Sequence, residues 1–196
     1  EAALASIGVV SRIAMFILFP LIGVAVAIQP LIGFNYGAHL YKRVRTTLVD
    51  GIILATIIGT LLWLCVQFFA REIIGFFGLE NPELIDFAVF ALKVQLVFIP
   101  LVGFQVVGSN YFQATGQPGK SAFLSVTRQL LFLIPLYLTL PEVLPQILPD
   151  RTSLDALYFA IPIADLMSIC ITMIFLLRER IRMKKLESGE LQATSF

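Results

Sequence analysis

The chain has 196 residues, 58% of them hydrophobic and only 14% charged, with a mean hydropathy of +0.90 and a net charge of +1. That balance lies far from the composition of a water-soluble domain and marks an integral membrane chain. Near-neutral charge with no basic run interleaved with aromatics excludes a nucleic-acid binder, and Cys65 and Cys170, each inside an apolar run, read as small buried thiols and indicate neither a disulfide framework nor a metal site.

A membrane span needs about 20 mainly apolar residues. Five stretches qualify, at 13–38, 51–70, 82–115, 121–140 and 156–177. Their continuous apolar character lacks the dyad alternation of an outer-membrane barrel, so the expected fold is all-α.

In the first span, Gln29 and Pro30 are expected to interrupt the helix, because proline lacks the backbone donor and its ring presses on the preceding turn. Gly33 and Gly37 loosen the helix further before a basic loop that holds Lys42, Arg43 and Arg45. Asn35 and Tyr36 lie near this mouth, placed either to cap the helix end or to touch a solute. The second span lies between Asp50 and Arg71. The third opens on Asn81-Pro82, a cap followed by the proline that a first turn tolerates. It is too long for one perpendicular crossing and must tilt, protrude or bend at Pro100. Within it Lys93 reads as a snorkelling side chain or one facing a water-filled cavity, and Gln105 as an inter-helix hydrogen-bonding group or a substrate contact, as does Gln29.

The last two spans carry the charges of greatest interest. Asp165 lies about nine residues into the fifth span, roughly 14 Å deep and close to the membrane middle. Arg128 lies about twelve residues from the outer end of the fourth, a depth difference of roughly 5 Å, within reach of an arginine side chain. Intramembrane charges are costly and either pair structurally or serve an ion pathway, and both readings apply here.

Lysine and arginine mark cytoplasmic segments. The connection after the first span carries Lys42, Arg43 and Arg45, the one after the third carries Lys120, and the tail carries Arg178, Arg180, Arg182, Lys184 and Lys185. The two remaining connections are acidic, with Glu72, Glu80, Glu83 and Asp86 against Arg71, and Glu142, Asp150 and Asp155 against Arg151. This alternation places the tail inside and Glu1 outside, and a cytoplasmic start then requires an odd number of upstream helices. An enzyme is not indicated. His39 has no carboxylate or cysteine set around it, and Lys120 after Gly116-Gln117-Pro118-Gly119 lacks the spacing of a phosphate-binding loop.

Three ordered motifs carry a family resemblance. They are Pro30-Leu31-Ile32-Gly33-Phe34-Asn35-Tyr36-Gly37-Ala38 followed by Lys42 and Arg43, then Tyr111-Phe112-Gln113-Ala114-Thr115-Gly116-Gln117, then Arg128 through Pro135. Up to about Arg180 the chain resembles the C-terminal lobe of the MATE (multidrug and toxic compound extrusion) family. The resemblance implies a two-lobe transporter in an inverted V, with residues 1–180 supplying helices eight to twelve of one six-helix lobe and 181–196 a cytoplasmic tail. It also implies cation-coupled antiport, by H+ or Na+, that exports organic cations, drugs or other amphipathic small molecules across the inner (plasma) membrane. No cofactor is expected, and the partners are the lipid bilayer and an N-terminal lobe without which this segment is inactive. Some branches place a coupling carboxylate in the helix corresponding to Val94 through Thr115, but no Asp or Glu occurs there, so that site is not carried over. Alternative readings are a lipid-linked oligosaccharide flippase of related fold and a non-transporting membrane scaffold.

Overall fold

The computed structural model describes residues 2–78, 81–147 and 153–188. Glu80, Asp150 and Arg151, used above for orientation, lie outside the described residues, as does the end of the tail from 189. The described part is helical: α1 (Ala2–Gly37), α2 (Tyr41–Phe76), α3 (Pro82–Gln95), α4 (Ile99–Ala114), α5 (Pro118–Val126), a π-helical segment (Thr127–Leu133), α6 (Ile134–Ile147) and α7 (Ser153–Glu187). Four stretches are long and apolar enough to cross a membrane, and the bent pair α3–α4 makes up a fifth.

The helices outrun the expected spans. Pro30 does not interrupt α1, which continues through both Pro20 and Pro30 to Gly37. One lost hydrogen bond does not end a helix where no water competes for the remaining backbone groups. The basic loop is also much shorter than expected, because Lys42, Arg43 and Arg45 belong to the first turns of α2 and the connection is Ala38–Leu40. His39 closes it at φ 58°, with its N–H donating to the Tyr36 carbonyl and the Leu40 N–H donating to the Asn35 carbonyl. This is a Schellman closure with histidine where glycine is usual. Gly116 repeats the motif between α4 and α5 at φ 72°, where glycine carries no steric penalty. Asp50 and Arg71, expected as span boundaries, lie inside α2. At the far end α7 continues to Glu187, so the expected tail begins as helix, with Met183 and Leu186 buried.

Prolines shape the third and fourth spans. Asn81 caps α3 by accepting the Glu83 N–H at 3.0 Å, with Pro82 in the first turn. The chain then breaks between Gln95 and Ile99 and turns by 47° into α4. Pro100 sits in the first turn of α4, where its missing N–H is least costly. In the fourth span the ring of Pro135 would meet the carbonyl one α-turn back, and the helix widens just before it, with the Ile134 N–H reaching the Gln129 carbonyl. Arg128 lies in this widened segment.

Helix α4 lies centrally in the bundle, touching α1, α2, α5 and α7. Its approach to α2 depends on small residues. A Cβ at Gly59 would lie 2.9 Å from the Ile99 carbonyl oxygen, and one at Gly103 would lie 2.9 Å from the Ala55 Cβ. With lipid no less apolar than the helices, such close backbone contact supplies much of the association. Cys65 and Cys170 are exposed on the surface of the bundle, contrary to their expected burial.

Candidate functional site

Near the middle of the spans, the widened turn of the fourth span presents Arg128 to α7. Its Nε donates to Asp165 Oδ1 at 2.6 Å, with the arginine side chain 30% and the aspartate 4% exposed. One turn further along α7, Ser168 accepts a 2.5 Å hydrogen bond from Gln105 Nε2 on α4, and Thr172 in turn donates to the Ser168 carbonyl. Asp165, Ser168 and Thr172 therefore form a buried polar stripe at helical spacing. Gln105 Oε1 is buried without a hydrogen-bond partner.

In front of this stripe, a cavity of about 230 Å³ opens between α1, α4 and the fourth span. Leu18 and Ile22 form its apolar wall, while Gln105, Ser109, Asn110, Ser125 and Arg128 form its polar wall. Ser109 Oγ lies 3.3 Å from Ser121 Oγ and 3.2 Å from Ser125 Oγ, a hydroxyl ladder that ties α4 to α5. Asp165 is not on the wall. Polar groups at this depth face a bundle interior or a hydrated path and do not face hydrocarbon. By contrast, the cavity between α1 and α2 is lined only by residues such as Ile13, Phe16, Leu62, Cys65 and Phe76.

Of the residues singled out from the sequence, the structure brings together Asp165, Arg128 and Gln105. Gln29, Pro30, Asn35, Tyr36 and Pro100 do not line this cavity. Asn35 Nδ2 donates to the Leu31 carbonyl at 2.7 Å, and Tyr36 packs edge-on against Tyr41 with ring centroids 5.8 Å apart. Pro100 lies against Gly59. Sequence reading passed over Ser109, Asn110, Ser125 and Ser168. Their only signal is polarity inside apolar runs, with no indication of which face they take.

It also passed over Glu179, which lies at the basic end of α7 and is only 3% exposed. Three donors surround its carboxylate: Gln117 Nε2 at 3.0 Å, Arg182 Nη1 at 3.1 Å and Lys120 Nζ at 3.4 Å. Lys120 also donates to Gln117 Oε1 and stands 5.4 Å from the Phe112 ring centroid. The cluster fixes the α4–α5 turn to α7. Beside it the buried Tyr111 hydroxyl donates to Met183 Sδ at 3.2 Å.

Comparison with known proteins agrees with this architecture. The MatE family model matches residues 1–138. The chain is 27% identical over 138 residues to the multidrug export protein MepA of Staphylococcus haemolyticus, a match covering 70% of this chain and 30% of that protein. It is 22% identical over 136 residues to an FAD transporter of Shewanella oneidensis, covering 69% of this chain and 30% of the relative. Among solved structures, the MATE multidrug transporter DinF-BH, solved as a ligand complex, matches with a TM-score of 0.78 and 34% identity over 89% of this chain and 37% of that one. An outward-facing multidrug resistance MATE transporter of the MOP superfamily matches with a TM-score of 0.80 and 22% identity, covering 94% and 39%. The chain spans about three tenths of the length of these curated relatives. It belongs to the MatE family and shares the fold of the MATE transporters.

Proposed function

We propose that the chain forms the greater part of the C-terminal lobe of a two-lobe exporter, which moves amphipathic small molecules across the plasma membrane by alternating access in exchange for H+ or Na+. The observation that carries this reading is the cavity whose wall sets Arg128 with Gln105, Ser109, Asn110 and Ser125 among helices apolar enough to cross a membrane. Polar groups there fit a pathway shared with a second lobe. The basic end, with Lys42, Arg43, Arg45 and Arg180, is assigned to the cytoplasm, together with the C-terminus. A lipid-linked oligosaccharide flippase fits less well, because the cavity wall holds a single basic side chain.

The test is dye efflux from cells that carry the full-length protein, and from cells that carry only this segment. Efflux driven by an ion gradient in the first and none in the second is expected. Efflux by the segment alone, or none by the full-length protein with any amphipathic dye, sinks the proposal. Cysteines introduced beside Arg45 and beside Glu83 check orientation: an impermeant thiol reagent added outside should label only the second.

A further inference from the structure

We propose that the cavity before Arg128 is a subsite for an anionic oxygen group, a carboxylate or a phosphate, on an amphipathic substrate. This rests on the exporter reading and narrows it. A guanidinium has five N–H donors, and Nε of Arg128 is committed to Asp165. Among the described residues, the structure gives its terminal nitrogens no hydrogen-bond acceptor. They belong to a partly exposed side chain on the cavity wall, while Asp165 stands behind it and off that wall. Among the described residues, Arg128 is the only charged one lining the cavity, with the hydroxyls of Ser109 and Ser125 beside it, while the amide nitrogens of Gln105 and Asn110 donate to Ser168 Oγ and the Val106 carbonyl.

The chemistry follows from this arrangement. Unfilled charged donors near the membrane middle are costly, and an oxyanion relieves that cost better than water. A guanidinium fork donates to two oxygens of a carboxylate or phosphate side by side, and Asp165, by holding Nε, fixes the direction of the fork. Among the described residues, no carboxylate is present on the wall to attract a cation or repel an anion. Leu18, Ile22 and Leu124 supply apolar surface for the rest of the molecule. The preferred substrate is an amphiphile with an apolar body and one oxyanion.

The test measures binding to the purified full-length protein with two pairs of probes that differ in charge. One pair is a xanthene dye as its ethyl ester and as its free acid. The other is 4-methylumbelliferone and its phosphate monoester, so the two pairs separate carboxylate from phosphate. The quantity read is the ratio of affinities within each pair. In the wild-type protein at least one anionic member should bind more tightly than its partner. In the double variant Arg128→Gln/Asp165→Asn, which leaves no lone charge behind, that preference should fall roughly tenfold or more. A second variant, Asn110→Asp, keeps the Arg128 pair and places a carboxylate on the wall. It should lower the same ratio even if the double variant does not fold. Equal or weaker binding of both anionic probes by the wild-type protein overturns the proposal, as does a ratio that neither variant moves. Wild-type protein that exports no amphipathic dye defeats the exporter reading instead, which separates the two failures.

Discussion

Two buried carboxylates on α7 are held in opposite ways. Glu179 lies at the basic end and meets three donors from two directions, Lys120 and Gln117 at the α4–α5 turn and Arg182 on its own helix. Asp165, about four turns away, has one charged partner among the described residues. Redundant donors make Glu179 a fastening point, because the loss of one leaves the others in place. A single donor leaves the state of Asp165 dependent on what happens to one arginine. The difference separates a carboxylate held by several donors from one held by a single arginine.

The sharpest way to break this comparison is to remove Arg128. Arg128→Met leaves the buried Asp165 carboxyl with no cation beside it, to persist as a stranded charge or to take up a proton, and should cost up to about 3–5 kcal/mol, seen as loss of folded full-length protein and a lower melting temperature in detergent. Adding Asp165→Asn removes the stranded charge and should recover much of that loss, with a coupling of about 1–3 kcal/mol between the two positions. If the double variant is no more stable than Arg128→Met alone, the pair does not govern the stability of this region.

At Glu179 the same operation should do less. Lys120→Met leaves Arg182 and Gln117 on the carboxylate, and Lys120 is itself 42% exposed, so a loss of about 1 kcal/mol is expected. Only the combined Lys120→Met/Arg182→Met change, which leaves Glu179 with the Gln117 amide, should approach the effect of Arg128→Met. Thermal unfolding of the three proteins checks the order. A single Lys120→Met change as damaging as Arg128→Met would show that the donors at Glu179 are not interchangeable.

Part of this contrast was legible in the amino-acid order. Helix rise alone put Arg128 and Asp165 at similar depth, and of the three ways to fit the long third span, which were tilting, protruding or bending at Pro100, the bend is found just before that proline. The start of α3 could be read from Asn81-Pro82, since a cap is local chemistry. Glu179 could not be read, because between Arg178, Arg180 and Arg182 it looks like one charge in a solvated run. Its inward face follows only from its helical spacing with the buried Asp165, Ser168 and Thr172, which the surrounding charges hide. The Gln105–Ser168 bond joins residues 63 apart in sequence, and no local pattern predicts which helix answers a buried amide. Pro30 misled for the converse reason, since the local rule that proline stops a helix is weakened where no water takes the freed carbonyl.

The smallest effect belongs to a third pair, which serves as the control. Arg71 Nη1 lies 2.8 Å from Asp86 Oδ1, as close as many buried pairs, and joins α2 to α3 near the opposite end of the bundle. Its side chains are 62% and 64% exposed, so water competes for both charges and salt screens them. Asp86→Asn should shift stability by no more than about 0.5 kcal/mol, and by less as salt is raised, because an exposed pair spends most of its Coulomb attraction on holding two long side chains still. The measurement is the melting temperature of the full-length protein at low and high ionic strength. A loss matching that of Arg128→Met would mean that distance and not burial sets the worth of these pairs, and the contrast between Asp165 and Glu179 would then need another cause.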